Sequence, residues 1–421
     1  MIYINKTIKF IKHHKVFFFI CIFLPVYHWL IANNAGWFEV KPINYAYHAV
    51  DYSMGFCSRM LPGAIYHSLV GIYSKTAVSI YLIVLYALFI IMLAVLLEQF
   101  ALKFRQKQKV CFILLTFFLT GPLTFNLFVT ELGMLDFYWA LFFLMACLCL
   151  KNKYLKFAVP LFVALMVLTH YAALACYASA LLLIVLLFAV RADSKREKII
   201  YLLIFASSLL IGIGLALYFL THDSSNLVYN VDDFRRILQK DRHALSFYYD
   251  YSFYKYFGPE YAGTRIFFAY SAGIAGEEFM HTKNIFEIAL HQIKANLQYT
   301  SVSQMVITIL VGLIPQALLI YILAGYCKKK PAKKKRWILA LILLLCIGCE
   351  LVGCLFSNDT PRWVGNSIII LFIFTFYILH YEYEQGMERV EILFQKIGYP
   401  ILYVFLFFYS NMVMDAYTLQ V

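Results

Sequence analysis

Long apolar stretches alternate with short polar segments along most of the 421 residues. A window of about 20 apolar residues is long enough to cross the hydrocarbon core of a membrane as a helix. Windows of this kind predict about eleven transmembrane helices, near residues 15–32, 78–100, 110–129, 135–150, 155–170, 172–190, 199–220, 303–326, 337–356, 365–380 and 398–418. The predicted fold class is therefore an all-α, polytopic membrane protein.

The composition supports this prediction, because 63% of the residues are hydrophobic and only 14% are charged. A soluble domain of this size contains far more charge. The first apolar run lacks a small-residue cleavage site and is followed by further spans, so we interpret it as a retained helix. Residues 1–421 form one predicted transmembrane domain. Residues 33–77 form a first outer loop, and residues 221–302 form a large outer loop after the seventh span.

The net charge of +13 is distributed unevenly along the chain. Of the 36 Lys and Arg residues, 24 fall in six segments: the N-terminus through Lys15, Lys103–Lys109, Lys151–Lys156, Arg191–Lys198, Lys328–Arg336 and Arg389–Lys396. If every second connection is cytoplasmic, all six lie on one side, as the positive-inside rule expects. We therefore expect membrane lipid and no nucleic acid as a partner, with a cytoplasmic N-terminus and an outer C-terminus.

Most of the ten cysteines lie inside apolar runs and lack flanking groups of the kind that zinc sites use. We interpret them as small core residues and not as a disulfide or metal framework.

The predicted large outer loop is rich in aromatic residues, with twelve between Phe234 and Phe268. Tyr and Phe at membrane level are typical of the interfacial belt, although aromatic rings also stack against sugars. The stretch KNIFEIALHQIKANL places Ile285, Ile288 and Ile293 near helical spacing, which predicts an amphipathic helix on the membrane surface.

The predicted outer turns contain ionisable side chains although Asn, Gly and Ser would be sufficient for a turn. These residues are Asp51, Arg59, Glu131, Asp136, His170, Asp359 and Arg362. Their accumulation on one side of the membrane suggests a shared cavity at the outer leaflet. Intramembrane and near-membrane charges are costly and often functional.

Each of these residues also has a structural interpretation. Asp51 could cap a short helix or pair with Arg59. Asp136 could be only a helix N-terminal acid, and His170 a buried imidazole with satisfied hydrogen bonds. Arg362 could pair with Asp359, but its forked donors also suit a phosphate better than a lysine would.

The arrangement of acids and loops resembles the GT-C superfamily of membrane glycosyltransferases, which includes the oligosaccharyltransferase catalytic subunits and protein O-mannosyltransferases. The resemblance implies that Asp51 is the first-loop catalytic acid, that Glu131 or Asp136 is the second-loop acid, and that Arg362 holds the donor phosphate. Glu131 and Asp136 do not form the tight acidic pair of the family. The cofactor therefore stays open, with a divalent metal as one option, and the large loop shows no family signature.

The expected function is inverting transfer of a sugar from a polyprenyl-phosphate donor to an envelope glycan, lipid or protein, at the outer face of a bacterial plasma membrane. Asp51 would accept the proton of the attacking hydroxyl. Glu131 or Asp136 would stabilise positive charge on the sugar in the transition state. Arg362, with Arg59 or His170, would offset the charge of the departing phosphate.

Three alternatives remain open at the level of the sequence. A polysaccharide polymerase or ligase would grip a diphosphate with loop arginines, namely Arg235, Arg236, Arg242 and Arg265. A transporter or flippase for a lipid-linked saccharide would place polar residues near the midplane of the membrane. A structural membrane subunit would need none of the outer acids.

Overall fold

The computed structural model of the chain describes residues 13–35, 40, 42–49, 51–54, 56, 59–72, 74–130, 132–222, 302–329, 333–356, 360–414 and 419–420. Within these residues the fold is helical apart from one antiparallel pairing of two-residue strands, β1 (Val413–Met414) with β2 (Leu419–Gln420). The predicted all-α class is confirmed.

The helices in chain order are α1 (Lys15–Ala35), α2 (Pro42–Ala49), α3 (Leu61–Val70), α4 (Lys75–Lys103), α5 (Gln108–Leu119), α6 (Asn126–Thr130), α7 (Leu135–Cys149), α8 (Val159–Thr169), α9 (Tyr177–Arg191), α10 (Lys195–His222), α11 (Val302–Lys328), α12 (Lys333–Phe356), α13 (Thr360–Tyr381), α14 (Gly386–Ile397) and α15 (Tyr399–Asn411). Short 3₁₀ turns connect some of them, at Tyr52–Met54, Arg105–Lys107, Leu155–Ala158 and Tyr171–Ala175.

The predicted count of eleven spans is not confirmed. Among the described residues, four helices are long and apolar enough to cross a membrane, within α4, α10, α11 and α13. A fifth span results if α14 and α15, bent by 94° at their junction, cross together. Four further apolar helices, in α1, α7, α8 and α9, are shorter. A helix of 15 residues, such as α7, is only about 22 Å long, less than the roughly 30 Å of the hydrocarbon core.

Local chemistry explains why some predicted spans are divided. Helix α5 ends at Leu119, just before Gly121 and Pro122, and the chain turns before α6 begins. Proline has no backbone N–H and restricts the residue before it to extended conformations. Hydropathy alone does not register this break, because the residues on both sides of it are apolar.

The long helix α4 begins at a polar cap that separates it from α3. Gly71 ends α3 in a left-handed conformation, with φ of 72°, and donates its N–H to the carbonyl of His67. Ser74 then accepts from the backbone N–H of Ala77 at 3.2 Å. A serine N-cap and a glycine C-cap are the residues that helix ends prefer.

Helix α13 is the centre of the helical bundle. Its side chains are buried around most of its circumference, and it packs against α9, α11 and α12. Gly365 lets α13 approach the backbone close to α6, because a Cβ at that position would lie 2.6 Å from the carbonyl oxygen of Leu123. The end of the bundle at which α13 begins is therefore packed backbone to backbone.

The described residues of the six basic segments meet at one end of the bundle, which we call the basic end. Glutamates close to the end of α13 bind several of them. Glu382 lies 2.5 Å from Lys335 and 3.8 Å from Arg191, and Glu391 lies 2.5 Å from Lys107. The shared location agrees with the clustering expected from the positive-inside pattern.

Of the two predicted outer loops, the first contains α2 and α3, and the structure describes much of it. Residues 223–301 lie outside the described part of the chain. The aromatic-rich segment and the predicted interfacial helix of the large loop therefore stay predictions.

The close approach at Gly365 gives a stability prediction. We expect Gly365→Ala to lower the free energy of unfolding by about 1–3 kcal/mol, because the added methyl group meets a backbone carbonyl that cannot rotate away. The matched control is Gly214→Ala in α10, where a Cβ would meet nothing within 4 Å. This control should leave stability unchanged or raise it by up to about 1 kcal/mol, since alanine favours helix. Unfolding in detergent measures both, and equal effects would contradict the packing described.

Candidate functional site

Four element ends meet at the end of the bundle opposite the basic end. Asp136 lies in the first turn of α7 and Arg362 in the first turn of α13. His170 follows the last residue of α8, and Arg59 lies two residues before α3. Both α7 and α13 run from here towards the basic end, so these side chains are one helix length away from the lysine-rich segments. We call Arg59, Asp136, His170 and Arg362 the polar cluster.

A buried ion pair joins two members of the polar cluster. The Nε of Arg362 lies 2.9 Å from Oδ2 of Asp136, and the two side chains are only 17% and 4% exposed. Two charges removed from water attract each other strongly, but their desolvation is costly. The pair is therefore stable only if further hydrogen bonds satisfy its remaining polar atoms.

Asn366 and Tyr177 supply such hydrogen bonds. The side-chain amide of Asn366 donates to Oδ2 of Asp136 at 2.9 Å, and its oxygen accepts from the hydroxyl of Tyr177 at 3.0 Å. Asn366 follows Arg362 by four residues, so both lie on the same face of α13. Tyr177 is the first residue of α9. The ion pair and its neighbours therefore link α7, α9 and α13.

The helix dipoles give the two charges different environments. A carboxylate in the first turn of a helix, like Asp136 in α7, is stabilised by the partial positive charge of the helix N-terminus. An arginine in the first turn, like Arg362 in α13, is disfavoured there by the same effect. Arg362 is kept at this position by Asp136 and by a contact with the sulfur of Met134 at 3.7 Å. Its position is not what local helix stability would select.

His170 contacts the second arginine of the polar cluster, Arg59. An Nη2 atom of Arg59 lies 2.5 Å from Nε2 of His170. The imidazole stacks on the ring of Tyr171 and lies 6.0 Å from the ring of Trp139, centroid to centroid. Arg59 and Arg362 both act electrostatically on His170. Two guanidinium groups and one imidazole therefore occupy one small region.

The hydrogen bond at Nδ1 of His170 determines which ring nitrogen carries the proton. Nδ1 accepts from the backbone N–H of Ala172 at 3.0 Å, so in the neutral ring the proton is on Nε2, the atom that faces Arg59. Burial lowers the pKa of His170 well below its ordinary value, and the positive charges of Arg59 and Arg362 lower it further. The neutral imidazole and the guanidinium thus point N–H donors towards one another.

The backbone of Arg59 is strained. Its φ is 68°, in the left-handed region, and it is the one non-glycine residue with positive φ among those that the structure describes. Such a conformation costs about 1 kcal/mol or more in an arginine, and residues of this kind concentrate at functional sites. The side chain of this strained residue is the one that contacts His170.

Asp51 occupies a separate position. Its Oδ1 accepts from the backbone N–H of Ser53 at 2.8 Å, and Oδ2 lies 3.9 Å from Nε2 of His67. Asp51 and His67 are each 26% exposed. Asp51 therefore forms a carboxylate–imidazole pair with a residue of α3, and its N–H bond closes a local turn.

The segment that contains Asp51 is nevertheless anchored beside the polar cluster at both ends. Before it, Nε2 of His48 accepts from the hydroxyl of Tyr138 at 2.6 Å, and Tyr138 lies two residues after Asp136. After it, Arg59 contacts His170. Asp51 is three positions along the chain from His48, so their Cα atoms lie within about 11 Å of each other. The segment that contains Asp51 thus lies between a contact with α7 and a contact with His170.

The turn before α7 requires a glycine. Gly133 has a φ of 88°, and a Cβ there would lie 2.7 Å from Cδ1 of Leu82. Glycine adopts this backbone conformation without strain. Beside it, the amide of Asn44 donates to the carbonyl of Leu132 at 2.8 Å. These contacts hold the turn against α2 and α4 and fix the direction in which Asp136 points.

The structure brings together four of the seven ionisable residues of the predicted outer turns, namely the polar cluster. Asp51 pairs with His67 instead of with Arg59, and Arg362 pairs with Asp136. Glu131, Asp359 and Arg265 lie outside the described residues. Sequence analysis missed Asn366, Tyr177 and His67. Only Asn366 had a usable signal, since it is a polar residue one helical turn after Arg362 in an apolar stretch.

The cysteines that the structure describes are free thiols, and several, including Cys147 and Cys346, are buried. Among the described residues, no group of three or more His, Cys, Asp or Glu side chains has an arrangement that could hold a metal ion. Searches with this chain find no matching family model, no matching curated protein and no matching solved structure. The proposed function is therefore based on the geometry of the polar cluster.

The Asp136–Arg362 pair gives a prediction for a double-mutant cycle. We expect Asp136→Leu or Arg362→Met alone to cost about 3–5 kcal/mol of stability, because each leaves a buried charge without its partner. The double variant should cost less than the sum of the two, with a coupling of about 0.5–3 kcal/mol. Unfolding in detergent measures all three.

The control cycle uses Lys103 and Glu384 at the basic end, an ion pair in which Glu384 is 67% exposed. Exposed pairs contribute little to stability, so this cycle should show little coupling. Additive effects at Asp136 and Arg362 would contradict a structural ion pair.

Proposed function

We propose that this chain is a membrane glycosyltransferase that takes a sugar from a polyprenyl-phosphate donor and attaches it to an acceptor hydroxyl at the outer membrane face. The observation that supports it most directly is the convergence of Arg59, Arg362 and His170 beside Asp136, at the end of the bundle opposite the lysine-rich segments. In the proposed topology the basic end is cytoplasmic and the polar cluster lies at the outer face.

The donor set of the polar cluster suits a phosphate. Guanidinium groups donate paired hydrogen bonds in a planar fork that matches phosphate oxygens. An anionic oxygen next to Nε2 of His170 would accept from that nitrogen and from Arg59 together. This arrangement would relieve the opposed donors described above, and it is the main reason to assign phosphate binding to Arg59 and His170.

Asp136 has a positioning role in this proposal. Its Oδ2 is already held by Arg362 and Asn366. A carboxylate held in this way has little freedom to act as a base, but it can keep Arg362 at a helix N-terminus where the macrodipole disfavours a cation. We therefore assign to Asp136 the orientation of the phosphate-binding arginine.

Asp51 is the proposed base. It is partly exposed, and His67 lies beside it at 3.9 Å. The acceptor oxygen attacks the anomeric carbon, the bond from that carbon to the phosphate oxygen breaks, and the acceptor proton passes to Asp51. The electron pair of the broken bond remains on the polyprenyl phosphate, whose charge Arg59 and Arg362 offset.

A second candidate function is transport of a lipid-linked saccharide. It is favoured by a polar group inside the bundle, where the hydroxyl of Ser367 donates to Glu350 at 2.5 Å and Gln316 donates to the same carboxylate. Intramembrane carboxylates often mark transport pathways. This group lies one residue along α13 from Asn366, so it adjoins the polar cluster.

The proposed base gives a test. We expect Asp51→Asn to reduce transfer by about a hundredfold or more, because the amide cannot accept the proton of the acceptor. The assay supplies membranes containing the full chain with a panel of radiolabelled polyprenyl-phosphate sugars and measures label in products that no longer extract with the lipid. Asp193→Asn, at the basic end, is the matched control and should retain full transfer. Unchanged turnover in Asp51→Asn would overturn the assignment of the base.

The proposed phosphate grip gives a second test. Arg59→Lys and Arg362→Lys keep the charge but lose the fork, so each should raise the KM for the donor by about tenfold. Arg196→Lys, exposed at the basic end, should leave the KM unchanged. If the label instead crosses sealed vesicles with its covalent state unchanged, the chain is a transporter and the proposed transfer is wrong.

A further inference from the structure

A cavity at the basic end is lined by charged and apolar residues of four helices. Its volume is about 280 Å³, and it lies between the starts of α1 and α5, the end of α4 and the side of α15. We call it the basic-end cavity. It is one helix length away from the polar cluster and takes no part in the chemistry proposed there.

Three basic side chains line the basic-end cavity. Lys15 is the first residue of α1, Arg105 lies in the 3₁₀ turn between α4 and α5, and Lys109 lies in the first turn of α5. His13 and Gln108 add further hydrogen-bonding groups to the wall. The three cations come from three different elements, so the fold itself brings them together.

Among the described residues that line the cavity, the one carboxylate is that of Glu98, and it already has partners. Its Oε2 accepts from the backbone N–H of Phe17 at 2.7 Å, and its Oε1 lies 3.3 Å from Nδ1 of His14. Glu98 is buried and holds the start of α1 against α4. Phe17 and His14 thus compete with Lys15, Arg105 and Lys109 for interaction with the carboxylate of Glu98. The cavity therefore remains a cationic environment.

The amphipathic helix α14 indicates the level at which the cavity lies relative to the membrane. This helix buries Met387, Val390 and Phe394 on one face and exposes charged residues on the other, and it bends by 94° into α15. An amphipathic helix joined at a right angle to an apolar one is typical of the membrane interface. Lys109 lies over the ring of Tyr399, at the bend, with its Nζ 3.6 Å from the ring centroid. The cavity thus lies at the level of lipid headgroups.

The apolar part of the wall faces outwards. Phe112 and Tyr403 both line the cavity and are 42% and 49% exposed on the surface of the bundle. Sites for whole drug-sized ligands have volumes of about 300–1,000 Å³. The basic-end cavity is slightly smaller, so it can hold a headgroup whose attached chains lie outside, along Phe112 and Tyr403.

We propose that the basic-end cavity binds the phosphate headgroup of an anionic phospholipid, with Lys15, Arg105 and Lys109 as its ligands. The phosphate lies among the three cations, and the acyl chains follow the apolar surface of α5 and α15 into the bilayer. Bound lipid joins α1, α4, α5 and α15, so it stabilises the packing of the first and last helices. This site is independent of the proposed transfer reaction.

The test measures lipid-dependent stability of the full chain. The thermal unfolding midpoint is followed in detergent micelles containing phosphatidylglycerol, in micelles containing phosphatidylcholine, and in lipid-free micelles with inorganic phosphate. We expect phosphatidylglycerol to raise the midpoint and the other two to have little effect. The triple variant Lys15→Gln, Arg105→Gln, Lys109→Gln should weaken the apparent affinity for phosphatidylglycerol by at least about tenfold.

The control triple variant is Lys195→Gln, Arg196→Gln, Lys198→Gln, which removes the same charge from exposed positions of α10 at the same end. It should retain the wild-type response. An equal loss in both triple variants would overturn the proposal, because it would assign the effect to diffuse attraction between a basic surface and an anionic micelle. Stabilisation by inorganic phosphate alone, equal to that by the lipid, would also overturn it.

A single variant covers the case in which the triple variant folds poorly. Lys15→Gln leaves Arg105 and Lys109 in place, and it should retain fold and give an intermediate affinity for phosphatidylglycerol. A wild-type affinity in that variant, together with a wild-type affinity in Arg105→Gln, would contradict the assigned ligands.

Discussion

The buried ion pair between Asp136 and Arg362 constrains everything at its end of the bundle. Its two charges have been removed from water, so their geometry is tolerated only while Asn366 and the hydroxyl of Tyr177 complete the hydrogen bonding. That requirement fixes the starts of α7, α9 and α13 relative to one another. A small displacement of any of these helices would leave a buried charge unsatisfied, and this makes the end rigid.

The two ends of the bundle use charge in different ways. At the basic end, the glutamates Glu382 and Glu391 neutralise lysines and arginines that follow or precede the helices, and most of these pairs are partly exposed. At the opposite end, Asp136 and His170 are buried, Arg362 lies in the first turn of a helix, where the macrodipole disfavours a cation, and Arg59 has a strained backbone. Partly exposed pairs contribute little to stability. Local helix stability does not explain the position of Arg362, and ligand binding is the explanation that we propose.

The helical class could be predicted from the sequence, and ionisable residues at the ends of apolar windows could be singled out, because both are patterns that a single chain displays. Apolar windows mark the helices, and ionisable residues at window ends mark the turns. The lengths of the helices could not be obtained in the same way. The break after Leu119 depends on Gly121 and Pro122, whose neighbours are as apolar as any membrane span.

The side chains that the predicted residues contact could not be predicted from the sequence either. Asp51 and His67 are sixteen positions apart, and no local periodicity indicates that their side chains pair. Tyr177 is a single tyrosine among many aromatic residues, and its bond to Asn366 joins two helices that are distant along the chain. Contacts of this kind are set by the packing of α9 against α13, which no local periodicity encodes.

In the proposed reaction, the segment from His48 to Arg59 would connect phosphate binding with proton transfer. It carries Asp51, and its two ends are fixed by the contacts of His48 with Tyr138 and of Arg59 with His170. Arg59 has a strained backbone conformation. A phosphate bound to Arg59 would therefore also affect the conformation of the segment that holds Asp51. A donor phosphate would then both neutralise the arginines and fix the position of the base. One short segment that holds a phosphate ligand and a carboxylate can couple the arrival of the donor to the activation of the acceptor.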